Sequence, residues 1–430
     1  MGQHSAHNCI PRLCRRARVR PAVSFAPVGL MLCCAIWLGL CSPRSGAAQE
    51  PRPRFVQDRF AIGFWVPPQT DENNEERYRE IAAAGFNLVI GLCGGASPRP
   101  AAEQLEMCAR HDLRAIVAAG SGPPEHWPDG PAVWGYLLAD EPAAAGFAGL
   151  RGRLDALHAA HPGKLGFINL FPNYASPADL GTSDYDTYLA RFVAEVGPAV
   201  LSMDHYPLFR PESDGREGYR HNLAAMRRES LAAGIPFWNF FNAMPYGPHT
   251  DPTEAQLRWQ VFTSIAYGAQ GVMYFCYWTP RGAQFPKGGA ILTPDGRRTR
   301  HYDEATRING VLRNLGPTLL RLTSKSVERI ESQPGQVAAG QGLVRSLEDG
   351  DFLSGEFQHE DGRRAVMLVN QQFAYSAWPT VEFAADAASV VEVDPKTGHE
   401  VPLRDDSPDL PGLQLSFDAG EGRLFLLPAE

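Results

Sequence analysis

The chain has 430 residues, is 44% hydrophobic and 20% charged, and carries a net charge of -8. This composition supports a sizeable buried core, with room for one large domain and one smaller one, and excludes a disordered or fibrous chain. The acidic balance argues against nucleic acid or an anionic membrane surface as partner.

In chain order, Arg12, Arg15, Arg16, Arg18 and Arg20 come first, followed by an apolar run from Ala22 to Cys41 and then SGAA before Gln49. A basic stretch, an apolar stretch and small residues in that order predict an export signal over residues 1–48, and hence a secreted protein, periplasmic or extracellular. An uncleaved N-terminal membrane anchor is the alternative, because the run approaches the length that spans a bilayer. Removing this leader takes away six arginines and no acid, moving the net charge from -8 to -14. Five of the eight cysteines lie in it, leaving Cys93, Cys108 and Cys276. Three widely spaced cysteines make neither a disulfide framework nor a zinc site.

The next part of the chain alternates strand-like runs with amphipathic helical stretches. The runs are FAIGFW (60–65), FNLVIGL (86–92), LRAIVAAG (113–120), VWGYLLAD (133–140), KLGFINLF (164–171), AVLSMDHY (199–206), IPFWNFF (235–241) and GVMYFCYW (271–278). Each is apolar along its whole length, the pattern of a parallel strand buried on both faces. Eight βα units in this length predict an α/β fold, a (β/α)8 TIM barrel over residues 55–323. An open doubly wound sheet is less suited, since PPQTDENN after Trp65 is not a glycine-rich phosphate loop. Residues 301–322 supply the closing helix. From Ser324 the texture becomes short alternating segments separated by EDG, PKTG and AGEG turns, which predicts a small C-terminal antiparallel β-sandwich over 324–430.

In a TIM barrel the chemistry sits where strands end. Trp65 closes the first run, Asp140 and Glu141 the fourth, and Asn169 and Asn173 flank the end of the fifth. Asp204, His205 and Tyr206 close the sixth, Asn239 and Asn242 the seventh, and Tyr277 and Trp278 the eighth. Aromatic rings beside amides and carboxylates suit a carbohydrate, whose ring faces stack while its hydroxyls need donors and acceptors. The histidines show no ligand spacing, so no metal or other cofactor is expected. Glu254 in DPTEAQLRW has a structural explanation, with Asp251 as N-cap, Pro252 at N1 and Glu254 at N3. Asp140 and Glu141 resist such a reading, because an apolar strand precedes them and Pro142 follows. Since neighbouring strand residues face opposite ways, both can meet one ligand only if the strand ends or bulges there.

With these strand ends the sequence resembles the TIM-barrel glycoside hydrolases over about residues 58–322. Glu141 resembles the acid/base position of the large clan of retaining β-glycosidases that includes the β-galactosidases, and YFCYWTP resembles that clan's last strand, with Trp278 as the sugar-stacking match. Two departures stand out: Asp140 replaces the usual Asn, and IPFWNFFNAMPYG carries no Glu where the clan keeps its nucleophile. The DEP strand end also resembles substrate-assisted N-acetylhexosaminidases, in which the Glu is the acid and the Asp orients the substrate's acetamido group. The resemblance implies an exported glycoside hydrolase acting on a β-linked oligo- or polysaccharide. Glu141 would be general acid/base, with Asp140 and Asp204 as further catalytic carboxylates; Trp65, Asn169, Asn173, Tyr206, Asn239, Asn242 and Trp278 would contact the sugar. The missing seventh-strand Glu raises a second possibility, an inactive barrel that binds carbohydrate. A third is a cell-surface protein whose C-terminal module does the binding, though that module has few aromatics in its turns and is expected mainly to pack against the barrel.

Overall fold

The computed structural model describes residues 54–68, 73–92, 100–210, 213–282, 285 and 289–429; the predicted leader and Cys93 lie outside them. Eight parallel strands close into a barrel: β1 (Ala61–Phe64), β2 (Leu88–Leu92), β3 (Arg114–Ala118), β4 (Val133–Asp140), β5 (Leu165–Leu170), β6 (Leu201–Asp204), β7 (Phe237–Asn242) and β8 (Gly271–Phe275). Closure is made by β1 and β8, paired from Ala61 with Gly271 to Phe64 with Tyr274. Between the strands run α1 (Glu75–Ala83), α2 (Ala101–Arg110), α3 (Phe147–Ala160), the short α4 (Pro177–Leu180), α5 (Tyr185–Val196), α6 (Arg216–Ala233) and α7 (Glu254–Ala266), and α8 (Arg300–Leu319) completes the ring.

The uninterrupted apolarity of the strands has a direct cause. Side chains of one parity fill the barrel interior, among them Leu88, Ile90, Ile116, Phe167, Trp238, Phe240 and Met273. Those of the other parity, such as Val89, Ala115, Val117, Ile168, Met203, Phe241 and Tyr274, pack beneath the helices. Both faces are dry, so neither can be polar. Where a helix must stop sharply, glycine supplies the left-handed turn: Gly234 ends α6 at φ 64. The start of α7 corrects the sequence reading by two residues. Thr253 is the N-cap, in a reciprocal capping box with Gln256, while Asp251 instead pairs with Arg300 and His301.

The C-terminal module is antiparallel, as predicted, and its seven strands join in a single sheet. They are β9 (Leu322–Ala339), β10 (Val344–His359), β11 (Arg364–Asn370), β12 (Thr380–Phe383), β13 (Val391–Val393), β14 (Glu400–Pro402) and β15 (Gly422–Leu427). One face, including Phe352, Val366, Leu368 and Phe425, covers a core of its own with Leu415 and Phe417. The other, including Leu353, Met367, Val369, Leu424 and Leu426, joins the outer core of the barrel. This contact falls on α7, whose residues from Trp259 to Ala266 are buried all round because the barrel lies on one side and the sheet on the other. The Trp259 indole N–H donates to the Gln371 side chain at 3.1 Å, fixing the two layers in register. The expectation of few turn aromatics needs one amendment, since Tyr375 and Trp378 are exposed between β11 and β12.

At Gly355 in β10 the sheet approaches α7 so closely that a Cβ would overlap the Ala266 backbone carbonyl. A backbone carbonyl cannot swing away as a side chain can. Gly355→Val is therefore expected to lower stability by about 3 kcal/mol, the upper end of overpacking costs, seen as a reduced Tm in a thermal melt.

Candidate active site

The fourth strand solves the problem posed by adjacent carboxylates. Its register shifts twice, between Val133 and Gly135 against β3 and between Leu137 and Ala139 against β5. Each shift inserts a residue and reverses parity. Asp140 then pairs with Asn169, which shares the interior parity of Phe167. The strand stops at Asp140, and Glu141 takes a left-handed conformation, φ 47, with its N–H donating to the Asn169 carbonyl at 2.8 Å. A glutamate there costs about 1 kcal/mol or more, and the position leaves Glu141 within electrostatic reach of Asp204 and Asp140. The Tyr188 hydroxyl donates to the Pro142 carbonyl at 2.8 Å and holds the turn from the helix side.

Strands β5 and β6 complete the group. Asn169 donates from Nδ2 to Asp140 at 3.2 Å and accepts from the Ser202 hydroxyl at 3.0 Å. Ser202 pairs with Asn169 across the strands, and Asp204 follows two residues later on the same face. Asp140 is exposed at the end of β4, with protein packed around its base. Burial raises its carboxyl to about 6, with the Asn169 amide opposing. Burial also raises Asp204, and the charge of Asp140 adds to this, while Tyr206 and Asn169 offset part of it. Glu141 is driven upward by burial first, then by Asp204, Asp140 and Asp179. Three carboxyls that raise one another cannot all ionise cheaply, so their titration is shared and runs above the ordinary carboxylate range, with Glu141 driven up furthest. Oδ1 of Asp204 is buried with no hydrogen-bond partner among the described residues.

The other predicted contacts divide. Trp65 is half-buried at the interior rim, edge-on to Phe240 at 5.8 Å. Tyr206 lies beside Asp204 in an aromatic group with Tyr246 and Phe275, largely covered. Asn173 is turned to α6, donating to the Gly218 carbonyl at 3.1 Å. Asn239 has outward parity: its amide donates to the hydroxyls of Tyr219 and Ser264, behind the barrel wall, so it is a strut and makes no ligand contact. Asn242 is fully buried and donates to the Met244 carbonyl at 3.0 Å, shaping the turn after β7. Trp278 is only 4% exposed, with Arg77 stacked over its ring at 5.4 Å; it belongs to the outer core and offers no open face. Tyr174, missed in the sequence, stands at the carboxyl group with 41% of its surface exposed. The signal was present in FPNYASP, since the loop after a barrel strand is where an exposed aromatic has to be explained.

Residues 189–315 match a family profile described as β-galactosidase, glycoside hydrolase family 42. Among solved structures, a family 42 β-galactosidase from G. stearothermophilus, in a catalytic-mutant form, is similar at 9% identity. The match covers 87% of this chain and 99% of that one with a TM-score of 0.56. A β-galactosidase from Bacillus circulans sp. alkalophilus is similar at 11% identity, over 86% and 99%, with a TM-score of 0.53. A β-galactosidase from the psychrophilic Marinomonas ef1 aligns at 13% identity over 59% of this chain and 60% of that one, TM-score 0.44. This chain thus spans three-fifths of that relative. No curated protein matches. The resemblance to TIM-barrel glycoside hydrolases that the sequence carries is borne out by the family match and the shared barrel.

The raised carboxyls make a prediction about stability. An acid whose pKa is higher folded than unfolded binds more protons in the folded state, so stability falls as pH rises from the unfolded value through the folded one. Asp204→Asn should therefore be more stable than the parent at alkaline pH, by about 1–2 kcal/mol after discounting for solvent in the cleft. The gap should close as the pH falls toward 4, the ordinary range of free carboxyls. Thermal melts of both proteins across pH check this.

Proposed function

We propose that this TIM-barrel glycoside hydrolase is exported and cleaves a β-linked oligo- or polysaccharide, with Glu141 as proton donor and Asp204 as the second carboxylate. The observation that carries the reading is Glu141 itself, set in a left-handed backbone just past the end of β4, where burial first and then the charges of Asp204 and Asp140 raise its proton affinity. In the proposed step Glu141 gives its proton to the glycosidic oxygen as the bond to the anomeric carbon breaks. Positive charge developing on that carbon is met by the carboxylate of Asp204, and Glu141, now ionised, takes a proton from the water that replaces the leaving group. Asp140, held by Asn169, keeps the local potential negative, which both raises Glu141 and favours the charged transition state. On a substrate bearing an acetamido group, Asp140 would instead orient that group as nucleophile. The β-galactosidase description of the matching family puts β-galactosides first among candidate substrates.

A panel of 4-nitrophenyl glycosides, β-galactoside and N-acetylhexosaminides included, tests the assignment. Glu141→Gln is expected to lose at least ~10³-fold in kcat while still binding sugar. A second reading, a carbohydrate-binding barrel without turnover, is favoured by one observation: β7 ends in the buried amide of Asn242 and supplies no carboxylate. Sugar binding without turnover in the parent, unchanged in Glu141→Gln, would select that reading.

The pH profile follows from the same charges. Asp204 must be ionised and Glu141 protonated, and burial raises both, Asp204 to about 7. The kcat/KM profile should be bell-shaped, with its acidic limb near neutrality rather than in the ordinary carboxylate range and its alkaline limb set by loss of the Glu141 proton. In Asp140→Asn, the alkaline limb should move to lower pH, because a charge that raises Glu141 is gone.

Export rests on the order of arginines, apolar run and SGAA in residues 1–48. Intact-mass analysis of the protein recovered outside the cytoplasm should give a chain beginning near Gln49; a full-length chain in the membrane fraction would indicate an anchor.

A further inference from the structure

Of the aromatic side chains the sequence offered as sugar platforms, Trp278 lies under Arg77 at 4% exposure and Tyr206 is 8% exposed. Neither has a face to give. Tyr174, in the loop between β5 and α4, is 41% exposed, and its nearest charges are Asp204 and Glu141. Its ring is fixed rather than swinging free. The hydroxyl accepts from the Tyr206 backbone N–H, and the ring stands edge-on against His205, centroids 4.9 Å apart at 76°. His205 is itself immobilised: it is 2% exposed, with Nδ1 2.9 Å from Asn222 Oδ1. Asn222 Oδ1 also accepts from the Asn173 N–H at 2.8 Å, one residue before Tyr174, so the loop and its anchor share one partner. The Asn173 N–H fixes this atom as the amide oxygen, and since an amide oxygen only accepts, the imidazole proton lies on Nδ1. Burial lowers the His205 pKa to about 4, so the ring stays neutral and the contact does not change with pH in the working range.

We propose that Tyr174 is the stacking platform of the substrate subsite that spans Glu141 and Asp204, a specificity-determining contact to the sugar ring. A rigid ring at the edge of a carboxyl-lined cleft binds an apolar sugar face with little loss of side-chain freedom, because that freedom has already been given up to Tyr206, His205 and Asn222. The inference rests on the glycosidase reading above.

The test uses the full-length mature protein and the nitrophenyl glycoside of highest kcat/KM in the panel. Tyr174→Ala should raise KM at least ~10-fold and change kcat much less, whereas Tyr174→Phe, which keeps the ring and the His205 contact, should stay within about 3-fold of the parent KM. Titration of the same glycoside into Glu141→Gln, with and without Tyr174→Ala, should show the same loss in Kd, and circular dichroism with melts confirms that each variant is folded. An unchanged KM and Kd in Tyr174→Ala, or equal losses in Ala and Phe variants, overturns the platform while leaving the Glu141 assignment intact. No turnover by the parent on any glycoside of the panel would instead sink the glycosidase reading and this inference with it, whereas full turnover by Glu141→Gln would remove only the proton-donor role of Glu141.

Discussion

Repulsion among Asp140, Glu141 and Asp204 is the constraint around which the open end of the barrel is organised. Left to themselves, three acids would separate into water. Here they are fixed by two register shifts in β4, a left-handed residue beyond its end, and an amide on β5 that bonds to both neighbouring strands. The cost of keeping them together is expressed as raised proton affinity. A protonated carboxyl beside an ionised one is the pair that the proposed acid-assisted cleavage of a glycosidic bond uses.

Supporting this arrangement is a polar network one layer further out. Asn222 on α6 connects the loop after β5, the imidazole following β6 and the Tyr185 hydroxyl on α5. Asn222, His205 and Tyr185 are buried, and each bond satisfies a polar atom that would otherwise destabilise the fold. The network thus positions the site and stabilises the barrel through the same contacts. The β7 end is different in kind: the amide nitrogens of Asn239 and Asn242 brace a helix and a turn, and the strand supplies no carboxyl there.

The C-terminal sheet contributes by burying α7 from the outside. A helix at the edge of a lone barrel would show one polar face, but α7 carries Trp259, Phe262, Thr263 and Ala266 around its circumference because from Trp259 to Ala266 nothing on it meets water. The helix closes the barrel behind β7, and Gln260 from it bonds both the N–H and the carbonyl of Asn242. Packing of the second domain therefore reaches the rim of the site through one helix.

Local sequence determined the number and order of the strands, the change to an antiparallel texture after α8, and the oddity of DEP. All three depend on hydrophobic periodicity or on a carboxyl pair that no cap or solvated face explains. Facing was decided only in three dimensions. Parity counted along the sequence fails wherever a strand gains a residue, as β4 does twice, and it is these insertions that bring Asp140 inward beside Asn169. Burial of an aromatic at a strand end was likewise illegible, because Trp278 is covered by Arg77, about two hundred residues earlier in the chain, while Tyr174 is left open. A side chain's type is written in the sequence, but what lies against its face is set by segments that meet only when the chain has folded.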